Sequence, residues 1–444
     1  MAIRLSDHFT YRKLIRFTLP SIAMMIFTSI YSVVDGFFVS NFAGKTAFAA
    51  VNLIMPVLII VATVGFMMGT GGTALVAKTY GEGDKERANS YFSLIVYVSL
   101  AFGIVLSLLG FIFTKPIAIA MGADGELLKN CIIYGRINFI ALPFFILQVM
   151  FQSFFVAAEK PKLGLVITIS SGLTNMVLDA VLVLFLPQGL KLVGAATATA
   201  IAQLVGGLVP FIYFVRKNDT FLRLGSTSFN GKVLLKACTN GSSEFMSNVS
   251  MSLVGVLYNL QLIKYAGENG LAAYGVMMYV SMIFSAAFVG FAIGGSPIIS
   301  YNQGAENHKE VKGLLKSSLV LIGSFGIVMV LLAEALSSPL ANFFVGYDKE
   351  LSKLTISGFR IFSLSFFFMG YAIYISSFFT ALNDGLTSAL ISFLRTLVFQ
   401  TASIIILPKR FGIDGIWWSV VVAEMVAFVF SIIFLRVKKQ KYKY

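Results

Sequence analysis

Charged residues are scarce in this chain. They make up 12% of its 444 positions, about half the ~25% of ordinary soluble domains. Histidine and cysteine are scarcer, with two of each. His8 and His308 fall in polar segments, which excludes a membrane-embedded histidine metal site or a Ser–His pair. Cys131 and Cys238 lie in or beside apolar segments and are too few for a disulfide framework or zinc site, so they read as reduced, buried thiols. No G-x-x-x-x-G-K-[ST] sequence occurs, so ATP is not the expected energy source. A cleavable signal peptide is not expected either. The start, MAIRLSDHFTYRKLIRFTLP, is basic, but the apolar stretch behind it has the length of a membrane span and lacks a small-residue cleavage site.

Apolar residues are abundant: 57% of the chain, with a mean hydropathy of +0.86. A soluble fold cannot hide that much apolar surface, so lipid must solvate most of the chain. Runs long enough to cross a bilayer, about 20 residues, occur near 14–40, 50–77, 91–113, 128–157, 162–186 and 192–215. A second set occurs near 232–262, 272–300, 313–333, 352–382, 386–408 and 414–436. The sequence therefore predicts an all-α integral membrane protein of twelve transmembrane helices. The polar stretch Arg216–Gly231 divides it into two lobes, 1–220 and 221–444. The net charge of +14 does not point to nucleic acid, because the basic residues sit between the spans. With the N-terminus inside, 22 of the 34 Lys and Arg fall on the cytoplasmic side and 9 outside. The expectation is a multi-pass protein of the cytoplasmic (inner) membrane with both termini in the cytoplasm.

The halves repeat. Ala43-Gly44 with Ala49-Ala50 recurs 223 residues later as Ala266-Gly267 with Ala272-Ala273. Gly71-Gly72 recurs as Gly294-Gly295, Gly81 as Gly304, and Ser153-Phe154-Phe155 at 377–379. Six spans is an even number, so both halves enter the membrane in the same sense and form parallel repeats. Two lobes rocking about a central cleft is the functional expectation. The glycine clusters at 69–72 and 294–295 lie inside apolar spans, where close helix packing accounts for them better than phosphate binding.

A carboxylate at mid-bilayer costs at least ~2.5 kcal/mol, so each one needs a reason. Asp35 and Asp179 lie roughly 32 and 26 Å along the first and fifth spans, both of which start at the cytoplasm. Both acids thus fall in the outer half of the membrane, where they can meet. Tyr31 and Asn175 each precede an acid by four residues and share its helical face. Pro20 leaves a carbonyl of the first span unpaired and supplies a bending point. Two acids with amide and hydroxyl oxygens nearby suit a hard cation, or a pair taking up protons one at a time. Glu244, in the seventh span, is flanked by Asn240 and Asn248 at i−4 and i+4. Arg395, at a similar depth, is its expected ion-pair partner. None of these acids has a copy in the other half, so the lobes have diverged chemically. Glu424, mid-span in the last helix, has no assigned role; Arg136 and Arg360 read as interfacial anchors.

These residues resemble the multidrug and toxic compound extrusion (MATE) family, of the bacterial and archaeal DinF-like type, over essentially the whole chain. The resemblance rests on the first span, LPSIAMMIFTSIYSVVDGFFV, and on GTGGTALVAKTYGEGD with its counterpart GGSPIISYNQGAEN. It rests also on GLTNMVLDAVLVL followed by VGAATATAIAQ. It implies twelve helices in two lobes around a V-shaped central cavity. It implies a monomer that exports cationic or amphipathic drug-like compounds against inward H⁺ or Na⁺, with no other cofactor. Asp35, Asn175 and Asp179 match the family's cation-coupling residues and would hold any Na⁺. Tyr31 and Thr197 match polar neighbours of that site, with Thr199 as the alternative to Thr197, and Gln152 stands where related members have Asn. Glu244 resembles the seventh-helix acid of one branch, but the tenth-helix Asp of that branch is missing from FFFMGYAIYISSFF. That departure favours the first-lobe pair over a second-lobe Na⁺ site.

A flippase for lipid-linked precursors, from the wider superfamily, is the alternative. It would want a cluster of cationic residues in the cavity, where this chain offers mainly Arg395. A membrane-embedded enzyme lacks its acid/base or metal constellation, and a passive channel fits poorly with buried, asymmetric acids.

Overall fold

The computed structural model describes residues 3–444. Among them, twelve membrane-length helices can be traced, as the hydropathy pattern predicts. The first six are α1 (Tyr11–Phe38, extended by a π-helical turn Val39–Ala43), α2 (Lys45–Gly81), α3 (Lys85–Ala120), α4 (Gly125–Ala157), α5 (Pro161–Phe185) and α6 (Lys191–Val215). The 74-residue helix Gly231–Gly304 is two spans broken at Gly267, giving α7 (231–266) and α8 (268–304). Then come α9 (His308–Val345), α10 (Lys349–Ser363 with Ser365–Ala381, bent by 42°), α11 (Gly385–Ile406) and α12 (Pro408–Tyr442). Helices are the form in which each span satisfies its own backbone groups where no water is available.

The internal repeat is written into the backbone as well as the sequence. Gly44 (φ 101°) and Gly267 (φ 57°), 223 positions apart, make the turns α1–α2 and α7–α8, and a left-handed residue there favours glycine. Glu159 (φ 61°) and Asn383 (φ 59°), 224 apart, turn α4 into α5 and α10 into α11. Asp84 caps α3 through the Arg87 N–H (2.9 Å), and Asn307 caps α9 through the Glu310 N–H (3.2 Å). The two six-helix repeats enclose a V-shaped cavity.

The lobes meet along α1, α2, α7 and α8, and glycine sets how closely. A Cβ on Gly71 would strike the Ala237 carbonyl, and one on Gly241 would strike the Met67 carbonyl. Gly81 and Gly304, repeat partners, abut the backbones of Tyr301 and Lys78 in the same way. On the α1–α8 contact, a Cβ on Gly290 would lie 2.6 Å from the Ile22 Cα. Glycine packing is the reason for Gly71 and Gly294, as the sequence suggests; Gly295 differs, with open space at its Cβ position.

These crossings form the apex of the V, at the end of the molecule that carries both termini. The N-terminal segment straps it from lobe to lobe. The Leu5 N–H donates to Glu159 (2.7 Å) in the first lobe, while the Phe9 N–H donates to Glu310 (2.8 Å) and the Leu5 carbonyl accepts from Asn302 (3.3 Å) in the second. Nearby, Tyr80 stacks on Phe221 at 3.9 Å. The 216–230 linker packs on α3: the Arg223 N–H donates to Asn89 (2.7 Å) and the Gly225 N–H to Ser93 (3.1 Å). Both cysteines are free thiols; Cys131 is buried as expected, whereas Cys238 is only half-buried.

Because the Gly241 site has no room, Gly241→Ala should cost about 1–3 kcal/mol through overpacking. Gly255→Ala on the same helix faces open space and should be neutral or mildly stabilising. Thermal unfolding of the two variants in detergent checks the contrast.

Candidate functional site

Two separate clusters hold the membrane-embedded charges. The first lies inside the first lobe. Asp35 on α1 is buried, and Asp179 and Asn175 on α5 are buried beside it. Asp179 and Asn175 are the polar neighbours of the Asp35 carboxyl on that helix. From α6, the Thr199 hydroxyl donates to Asp35 Oδ1 at 3.4 Å. Both Asp179 oxygens, the Asn175 carbonyl and the Tyr134 hydroxyl are buried without a partner. Two neighbouring carboxyls in a dry environment, with acceptors to spare, leave a place for a proton or a small cation between them.

The second cluster faces the central cavity, a space of about 340 Å³ lined mainly by α7, α8, α10, α11 and α12. Glu244 and Asn248 line it, with Asn248 Nδ2 donating to the Glu244 carbonyl at 2.9 Å. Tyr258 and Tyr274 stack in its wall with centroids 5.5 Å apart, and Met25, Met251, Met278 and Met369 contribute soft, polarisable surface. From the first lobe only α1, α2 and α4 contribute, through residues such as Met25, Phe66 and Ser153. Asp35 and Asp179 do not line this cavity.

The structure corrects several expectations. Arg395 does not pair with Glu244. Its Nε donates to both oxygens of Glu424, at 3.1 and 2.8 Å, and Gln400 adds a contact at 3.4 Å. The reason is a π-helical turn, Leu394–Phe399, which carries Arg395 within α11 and turns it toward α12. Glu424, which had no assigned role, is thereby the buried half of an ion pair. Thr197 is spent on the Val193 carbonyl (2.7 Å), and Thr199 takes its place at Asp35. Gln152 is buried without lining the cavity. One turn away, Gln148 donates to Ser171 (3.3 Å) and comes within reach of Tyr31. The spacing of Gln148 and Gln152 on one face was the available signal. Asn240 sits at the apex instead of in the cavity, donating to Asn383 Oδ1 at 2.6 Å. Pro20 is buried where α1 crosses α8, next to Ser21, whose carbonyl faces Gly290. Arg136 lies over Phe111 at 5.0 Å and Arg360 sits 3.9 Å from Glu334.

Two parallel six-helix lobes, a cavity between them and unmatched acids in each define a membrane transporter. The MatE family model matches residues 20–181 and again 245–405. The chain belongs to this family, the MATE transporters, and is a multi-pass membrane protein. Among its relatives, the multidrug export protein MepA of Staphylococcus haemolyticus (strain JCSC1435) is 26% identical over 424 residues, 94% of this chain and 91% of that protein. A crystal structure of MATE in complex with MaL6 superposes with a TM-score of 0.93 at 22% identity, over 99% of this chain and 98% of the other. An outward-facing multidrug resistance MATE transporter superposes at 0.92 and 22% identity, with the same coverage.

Above pH 10, where protons are scarce, Asp179→Asn should stabilise the protein by ~1–3 kcal/mol, since the amide supplies Asp35 with a donor and removes an orphaned acceptor. Thermal unfolding in detergent measures it, and a loss of stability would contradict the arrangement.

Proposed function

We propose that this chain is a secondary antiporter. It exports cationic or amphipathic drug-like compounds across the cytoplasmic (inner) membrane in exchange for H⁺ or Na⁺. The observation that carries this reading is the neighbouring pair Asp35–Asp179, buried inside one lobe and out of the drug-sized cavity. An ion held there acts on the substrate through the protein rather than by contact.

Asp35 and Asp179 are the cation ligands, with Asn175 and Thr199 as neutral oxygens beside them and Tyr31 against Gln148 on the adjoining face. Na⁺, if it is the coupling ion, enters as a co-substrate between the two carboxylates and Asn175. When the pair takes up its cation the repulsion between the carboxylates ends, α1 and α5 draw together, and α1 bends at Pro20. Pro20 is well placed to pass this on, because it lies at the α1–α8 contact between the lobes. Cation and drug then bind with negative coupling, which exchange requires. Glu244 attracts the cationic part of the compound, and the Tyr258–Tyr274 wall holds its aromatic body.

The basic residues concentrated at the apex support cytoplasmic termini, so the V opens outward in this state. One chain encloses the whole cavity, which supports a working monomer. The relatives' description as multidrug export proteins supports the substrate class. A flippase for pyrophosphate-bearing lipids would need free cationic groups, and the one cavity arginine is neutralised by Glu424.

In proteoliposomes, an imposed pH or Na⁺ gradient should drive dye accumulation, and Asp35→Asn should reduce the gradient-driven rate by at least ~5-fold, in line with the loss of one coupling free energy of 1–3 kcal/mol. Unchanged gradient-driven transport by Asp35→Asn would refute the mechanism.

A further inference from the structure

We infer that the Arg395–Glu424 ion pair, by cancelling its own charge, leaves Glu244 as the one net charge of the cavity, and with it a preference for organic compounds bearing one positive charge over those bearing two. This rests on the export reading above and specifies the substrate class of the same site.

Three formally charged side chains line the cavity: Glu244, Arg395 and Glu424. The guanidinium is committed to Glu424 by two hydrogen bonds, at 3.1 and 2.8 Å, and Gln400 fills out the carboxylate at 3.4 Å. Glu424 is fully buried against Arg395, which retains the exposed side of the pair. Two carboxylates and one guanidinium leave a single negative charge, on Glu244. A monocation entering the cavity neutralises that charge. A dication of the same shape brings one positive charge too many.

The architecture of α11 is built for this pairing. The π-helical turn Leu394–Phe399 interrupts the regular helix at the arginine itself. π-Turns are rare and occur frequently at functional sites. An arginine with a merely structural role needs no access to the cavity, yet Arg395 lies in its lining and retains 15% of its side-chain exposure.

The test compares ethidium with propidium, which carries the same aromatic body and a second cationic centre. Each is assayed in proteoliposomes of the full chain under an imposed gradient. A unit charge ~10 Å away at an effective dielectric of ~20 alters affinity about tenfold. Arg395→Gln leaves two negative charges, and its propidium-to-ethidium transport ratio should rise about tenfold over wild type. Glu424→Gln leaves none, and ethidium should bind about tenfold more weakly. The double variant R395Q/E424Q restores a single negative charge and should return the ratio to that of the wild type, even though the ion pair is gone. It also keeps the idea testable if either single variant fails to fold. A ratio unmoved in Arg395→Gln overturns the inference, and so does a double variant whose ratio departs from wild type. If instead the wild-type protein moves neither dye under either gradient, the export reading itself fails.

Discussion

A charge inside a bilayer must be paired, shared or wetted, and the chemistry of this transporter follows from which solution each charge adopts. Arg395 and Glu424 are paired, side chain to side chain, at the wall of the cavity. Asp35 and Asp179 have no basic partner among their neighbours; they lie beside each other and two neutral polar groups, Asn175 and Thr199. Glu244 faces the cavity, where water or a ligand can reach it. An ion pair is stable in itself and removing one partner is costly. A carboxyl pair without a cation is not at rest, and that is the property a coupling site needs.

The second requirement is that the lobes move relative to one another without falling apart. Glycine at the α2–α7 and α2–α8 crossings brings backbone against backbone, so the lobes pack tightly at one end with few side chains to repack. Small-residue crossings of this kind are how membrane helices gain packing where lipid is as apolar as leucine. The strap from Leu5 to Phe9 and the Asn240–Asn383 contact add directional hydrogen bonds at the same end. Such bonds can be exchanged for others at modest cost, whereas buried apolar surface cannot. Pro20 lies on the same seam, where a change in α1 is felt by the opposite lobe.

Much of this was legible in the chain itself. Twelve apolar runs and a repeat offset near 223 foretold twelve helices in two copies, because span length is fixed by membrane thickness and the turn residues recur. The meeting of Asp35 with Asp179 followed from depth, since both helices start at the same side. What escaped was rotation. Thr197 and Thr199 differ by roughly 200° around α6 at 3.6 residues per turn, and only the packing of α6 decides which one meets α1. The partner of Arg395 was missed for a similar reason: a π-turn in α11 has no reliable sequence signature, and it shifts every face beyond it. Asn240 shares a helical stripe with Glu244, but the helix climbs ~1.5 Å per residue, enough to place one at the apex and the other in the cavity.

The central claim is that an ion held by Asp35 and Asp179 weakens drug binding in a cavity it does not touch. Dye affinity of the detergent-purified protein, measured by fluorescence anisotropy between pH 5 and pH 8 and with or without Na⁺, tests this most directly. The account predicts at least ~5-fold weaker binding when the acid pair is occupied, the lower end of ordinary coupling energies, and, in Asp35→Asn/Asp179→Asn, affinity independent of Na⁺ with a pH dependence reduced to that carried by Glu244 in the cavity itself. Equal affinity under all conditions in the unmodified protein, or an unchanged ion dependence in the double variant, would contradict it.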